Sequence, residues 1–139
     1  MDVHTKTQRS YNMSQIRSVD TKPEIQIRRL CHQLGYRFRL HRKDLPGKPD
    51  LVFPKYKTVI FVNGCFWHRH SCKNGSRLPK SNADFWRDKL NGNKKRDHKN
   101  WRKLRRDGWK VGVVWECQTK QRTRVYTRIN SILANVDKD

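Results

Sequence analysis

Strongly apolar residues are scarce in this chain, and that scarcity limits what it can fold into. Leu, Ile, Val and Phe make up about a fifth of the 139 residues, close to the level of about 20% at which a highly charged chain stays unfolded. Clustering argues for folding. Residues 58–62 (TVIFV) and 109–115 (WKVGVVW) are short apolar runs bounded by turn formers, which read as buried strands. The length suits one domain. No run approaches the roughly 18 apolar residues that span a bilayer. The N-terminus lacks the apolar stretch of a secretory signal. The expected location is therefore the cytoplasm, where disulfides are rare and clustered cysteines tend to hold metal.

The 33 Lys and Arg residues against 12 Asp and Glu leave a net charge of +21. Such a surplus repels itself and lowers stability unless a polyanion offsets it. With a pI near 10.5 the chain clears the mark of about 9 expected of a nucleic-acid-binding domain. Packing on ribosomal-type RNA or on an anionic membrane surface is the other reading of charge alone.

Residues 1–19 are polar with scattered apolar positions and read as an N-terminal arm; 20–139 read as one domain. Thr21-Lys22-Pro23-Glu24 matches a capping box, and Ile27, Leu30, Cys31 and Leu34 share one helical face that Gly35 ends. Residues 36–41 alternate like a half-exposed strand, 45–49 turn, 50–53 form a short strand, and 54–57 turn into the run at 58–62. An irregular loop spans 63–79. Ser81 is placed to cap a long polar helix to about 106, with its phase interrupted at Asn91-Gly92-Asn93. Gly108 stops it, and the strand 109–115 precedes a helix over 119–135. This order predicts an α/β mixed sheet flanked by helices.

The densest chemistry lies in Asn63-Gly64-Cys65-Phe66-Trp67-His68-Arg69-His70-Ser71-Cys72. Zn²⁺ takes four soft or borderline ligands in a tetrahedron. Cys65, His70 and Cys72 can supply three, and Cys117, just past another strand end, a fourth; the bland reading is free thiols and surface histidines. Cys31 belongs to the apolar helix face. Asp50, at a strand start, is the hard oxygen donor that Mg²⁺ prefers. Beside a basic surface and His68 it suggests metal-assisted phosphodiester hydrolysis, with His68 as general base or as a further zinc candidate. Phe66 and Trp67 have no element to hold them in a core, so they read as rings that stack on or wedge between bases. Trp86, four residues before Leu90, reads equally as core. Trp101, Trp109 and Trp115 read as core.

Several segments together resemble the very short patch repair (Vsr) endonucleases. They are Arg9-Ser10, Asn12-Met13, Asp20-Thr21 with Glu24, Leu45-Pro46-Gly47-Lys48-Pro49-Asp50, Ile60-Phe61-Val62-Asn63-Gly64-Cys65-Phe66-Trp67-His68, Phe85-Trp86 with Lys89, Asn93 and Arg96-Asp97, and Gly108-Trp109 with Val114-Trp115-Glu116-Cys117. The resemblance runs from about residue 5 to 118. It implies a restriction-endonuclease-like fold with a structural zinc, and a monomer that nicks double-stranded DNA 5′ of the mispaired T in a T·G mismatch left by 5-methylcytosine deamination. By motif position, Asp50 and the Val62 carbonyl would carry catalytic Mg²⁺, and His68 would be the catalytic histidine. Cys65, His70, Cys72 and Cys117 would hold zinc, and Phe66, Trp67 and Trp86 would intercalate. Met13, Lys89 and Asn93 would contact the mismatch or its flanks. One departure matters: the family's Thr-His pair before Gly-Cys is Val62-Asn63 here. The backbone carbonyl survives this change. An amide cannot take a proton near neutral pH, so either His68 acts alone or Glu24 helps to hold metal-bound water. A non-catalytic, zinc-stapled DNA-binding protein is the competing class.

Overall fold

The computed structural model describes residues 21–68, 70–72, 76 and 78–134. In chain order its elements are helix α1 (Lys22–Gln33), strands β1 (Arg39–Leu40) and β2 (Leu51–Phe53), a 3-10 turn (Pro54–Tyr56), strand β3 (Thr58–Asn63), helix α2 (Ala83–Arg106), strand β4 (Lys110–Trp115), a second 3-10 turn (Glu116–Lys120) and helix α3 (Arg122–Ala134). None of these helices is long and apolar enough to cross a membrane.

The four strands form one mixed sheet in the order β1-β2-β3-β4. The first two pairings are antiparallel. The third, β3 with β4, is parallel and runs from Thr58 opposite Lys110 to Asn63 opposite Trp115. Parallel neighbours need a long crossover, and α2 lies within it. Strand β3 is central and buried on both faces, which explains why its sequence is a continuous apolar run rather than an alternating one.

Alternation along β2 sorts the core into two layers. Leu51 and Phe53 join Ile60 and Val114 against α1 and α3, through Ile27, Leu30, Cys31, Ile129 and Leu133. Val52, Val59 and Phe61 face α2 through Trp101 and Leu104. A Cβ on Gly112 would stand 2.7 Å from Ile132 side-chain carbons, so α3 sits on β4 at a distance that only glycine allows. Gly35, at φ +85, turns the chain out of α1, and the Tyr36 amide donates back to the Cys31 carbonyl at 3.0 Å.

The structure revises several boundaries. The strand expected over 36–41 shrinks to Arg39–Leu40: Tyr36 and Phe38 turn inward to pack on Phe53, and His41 takes a left-handed conformation at φ +47. Helix α2 begins after Asn82, not after Ser81, and runs unbroken through Asn91-Gly92-Asn93. Its register holds because Leu90, Trp101 and Leu104 lie along one buried face. The last helix begins three residues later than expected because a 3-10 turn takes up Glu116–Lys120. The arm over 1–19 lies outside the described residues.

Candidate active site and metal centre

The C-terminal end of β3 organises three side-chain clusters. The first starts from a ladder that runs out of partners. The β2–β3 pairing ends at Leu51 opposite Ile60, so the Val62 amide lies beyond the β2 strand. The Asp50 carboxylate fills the gap: Val62 N–H donates to its Oδ2 at 2.7 Å. Glu24 approaches from α1. The capping box forms as the sequence predicts, with the Thr21 amide donating to Glu24 Oε2 at 3.2 Å. Glu24 does more than cap, however. It is only 1% exposed, its Oε1 lies 2.5 Å from His41 Nε2, and Arg28 Nη2 stands 3.3 Å from its Oε2. One ligand atom from each of Glu24, His41 and Asp50 lies within 4.8 Å of the others.

These two carboxyls are driven apart electrostatically. Burial pushes Asp50 up to about 8, and the charge of Glu24 adds to that; the Val62 amide opposes it. Burial also pushes Glu24 up, but the hydrogen bonds with His41 and Asp50 and the nearby charges of His41 and Arg28 bring it below its ordinary value. Without a cation, one carboxylate is ionised and its neighbour keeps a proton, a pairing that a divalent ion would displace.

The second cluster is His68 with Asp97. His68 Nδ1 lies 2.5 Å from Asp97 Oδ2, and the imidazole keeps partial exposure. With Nδ1–H donating to the carboxylate, Nε2 is left free to exchange a proton. Asp97 belongs to a helical stripe. Trp86, Leu90, Asn93, Asp97, Trp101 and Leu104 follow the helical repeat along one face of α2. The C-terminal half of that face packs on the sheet, and the N-terminal half meets the loop after β3. There Asn93 Nδ2 donates to the Trp67 carbonyl at 3.2 Å, so its amide fastens the loop. Phe66, Trp67 and Trp86 form a partly exposed ring cluster with centroids 5.3–6.0 Å apart. Phe85, 58% exposed, adds a fourth ring 5.4 Å from Trp86, and Lys89 Nζ lies 5.7 Å from the Trp86 ring centre.

The third cluster joins Cys65, His70, Cys72 and Cys117, whose ligand atoms all lie within 4.8 Å of one another. Cys117 N–H donates to Cys65 Sγ at 3.4 Å, and Cys117 Sγ lies 3.6 Å from His70 Nδ1. The His70 ring stacks on Trp115 at 4.3 Å, which ties Trp115 to this centre and leaves it only partly buried. Burial pushes the Cys65 thiol up to about 12, so a metal here must displace its proton. His68 stands apart from this set, being committed to Asp97.

Cys31 is fully buried in the core. Asn63 is 5% exposed, and its Nδ2 has no hydrogen-bond partner among the described residues. Met13 lies outside the described residues. The sequence reading missed His41 and gave Asp97, present among the family-like segments, no role. His41 sits at a strand end where a basic residue looked ordinary, and Asp97 is one acid in a long polar helix; in both cases the signal is a long-range pairing. Phe85 was legible as an aromatic beside Trp86.

The sequence also matches known proteins. The family model described as DNA mismatch endonuclease Vsr covers residues 1–74. A type II nicking enzyme of Xanthomonas oryzae, V.XorIIP, is 50% identical over 125 residues, covering 90% of this chain and 91% of its own length. A second, V.NmeAIP of Neisseria meningitidis, is 44% identical over 135 residues, covering 97% and 96%. The DNA mismatch endonuclease Vsr of Escherichia coli is 40% identical over 124 residues, covering 89% and 79%.

Proposed function

The chain belongs to the Vsr family of DNA mismatch endonucleases, and from that premise we propose that it nicks one strand of a DNA duplex 5′ of the T in a T·G mismatch, with Mg²⁺ as catalytic cofactor. Such mismatches arise by deamination of 5-methylcytosine. The observation that carries this reading is the end of β3, where an acid tied to the Val62 amide and a histidine oriented by an acid flank the same short segment. A protein that only bound DNA would gain nothing from a buried carboxylate pair near phosphates, and the nicking enzymes among its relatives favour catalysis.

The donor chemistry fits two different ions. Glu24 and Asp50 offer hard oxygens, to which the family resemblance adds the Val62 carbonyl, and that set suits Mg²⁺. Cys65, His70, Cys72 and Cys117 form a complete four-ligand set that suits structural Zn²⁺ and leaves no place for water. When bound, Mg²⁺ neutralises charge on the scissile phosphate. Asp50 anchors that ion. His68 Nε2 takes the proton of the attacking water as its oxygen bonds to phosphorus; the bond to the leaving sugar oxygen then breaks, and that oxygen takes up a proton. Asp97 holds the imidazole in the right tautomer, as the acid of a catalytic triad does. Glu24 orients water, and Asn63 offers its unpaired amide to water or phosphate.

Recognition rests on the aromatic cluster. Prying a base step apart costs a few kcal/mol, which inserted Phe66, Trp67 and Trp86 rings help to offset. A T·G pair opens more cheaply than a matched pair, and part of the selectivity follows from that. Lys89 and the N-terminal arm with Met13 contact the flanks. We take the fold to be restriction-endonuclease-like, one domain over 20–139 that acts as a monomer. The test is a panel of end-labelled duplexes differing at one base pair. A cut confined to the strand with the mispaired T, on its 5′ side, is expected; equal cutting of matched DNA would overturn the reading.

A further inference from the structure

His41 has no place in the chemistry above, yet its position is highly specified. The β1–β2 ladder ends with Leu40 opposite Leu51, so the next residues on each side, His41 and Asp50, face each other across the base of the turn 42–49. The His41 amide donates to the Asp50 carbonyl at 3.4 Å. His41 also adopts φ +47, a conformation uncommon for any residue but glycine. Its Nε2 is set 2.5 Å from Glu24 Oε1 and 3.4 Å from Arg28 Nη2. The imidazole nitrogen thus faces the same carboxylate that a cation held by Glu24 and Asp50 would face.

We propose that His41 is the nitrogen ligand of the catalytic cation, making the site two carboxylates and an imidazole. This rests on the reading above that Asp50 and Glu24 carry that cation. Its three ligand atoms already lie within 4.8 Å of one another. Imidazole nitrogen suits the first-row transition metals, so Mn²⁺, which also accepts carboxylate oxygens, is the probe that reports this ligand. A bound cation would replace the direct contact of Nε2 with Glu24, while Glu24 keeps Arg28 and the Thr21 amide as partners.

The test is Mn²⁺ binding to the full chain, without DNA, with the Cys/His cluster first loaded with Zn²⁺. Affinity is read by titration and ligation by pulsed electron paramagnetic resonance, which detects nitrogen bonded to Mn²⁺. The expected result is a coordinated-nitrogen signal in the parent and in His68→Ala. In His41→Ala the signal should vanish and Mn²⁺ should bind at least about tenfold more weakly, the scale of losing even an outer partner of a metal site. Absence of the signal in the parent while Mn²⁺ binding still depends on Asp50 would overturn the role of His41 alone, and this outcome needs no variant of His41. Mn²⁺ binding unaffected by Asp50→Asn would overturn the Asp50 assignment and this proposal with it.

Discussion

The two donor clusters at the end of β3 are built on opposite plans. The Cys/His set is soft, has four members and is nearly local: three of its ligands fall within eight residues, and the Cys117 amide locks onto Cys65. The Glu24/His41/Asp50 set, two carboxyls and an imidazole, has three members, drawn from a helix N-terminus, a turn and a strand entry. With zinc bound as proposed, four protein ligands would leave that metal no role but to hold the loop. An incomplete set, with two carboxyls pushed apart in proton affinity, leaves room for water and phosphate. In the proposed reading, the difference separates scaffold from chemistry within one small domain.

The largest effect that should break this symmetry is on nicking. Asp50→Asn should abolish detectable cutting of a T·G duplex while leaving DNA binding intact or tighter, since an anion beside phosphates is removed; gel-shift and single-turnover nicking on one duplex check both. Next, His68→Ala should slow nicking by roughly 10²–10⁴, the usual span for a positioned general base. Asp97→Asn should fall in the same range, roughly 10²–10⁴, because the wrong tautomer is then favoured. Neither should change zinc content. Third, Cys117→Ser should do the reverse, lowering the melting temperature by more than about 10 °C, since each kcal/mol is worth roughly 2–8 °C in a domain of this size. Its residual folded fraction should still cut.

The smallest effect is a pH dependence, and it concerns Asp50. Its folded-state pKa of about 8 lies above the ordinary carboxyl value, so the folded state holds a proton that the unfolded chain has lost. The stability that proton confers is complete below about pH 4 and drains away as pH rises through about 8. The metal-free protein should therefore lose stability from pH 5 to 8, and Asp50→Asn should flatten that slope by an amount on the order of a few kcal/mol while keeping the hydrogen bond from Val62. Chemical denaturation in a chelator across this range reads it directly.

Legibility in the sequence follows the same divide. The Cys/His run shows itself because its ligands are close in sequence, and Cys117 because it follows a strand parallel to β3. The layered α/β order is legible because the apolar runs at 58–62 and 109–115 are short and sharply bounded. His41 is not, because its role depends on a left-handed residue closing a turn onto Asp50. The role of Asp97 becomes visible only when α2 continues through Gly92, where the sequence predicts an interrupted phase. Helix continuity there comes from the sheet face that Leu90 and Trp101 bury, a tertiary contact that local propensity does not encode.

One measurement tests the separation of roles most directly. Purified protein is dialysed against a chelator of exchangeable divalent ions, assayed for nicking on a T·G duplex before and after Mg²⁺ is restored, and analysed for zinc at each stage. Nicking should vanish and return with Mg²⁺ while zinc stays at one per chain throughout. Nicking that survives chelation with zinc still bound, or a purified protein that cuts without containing zinc, would contradict that separation.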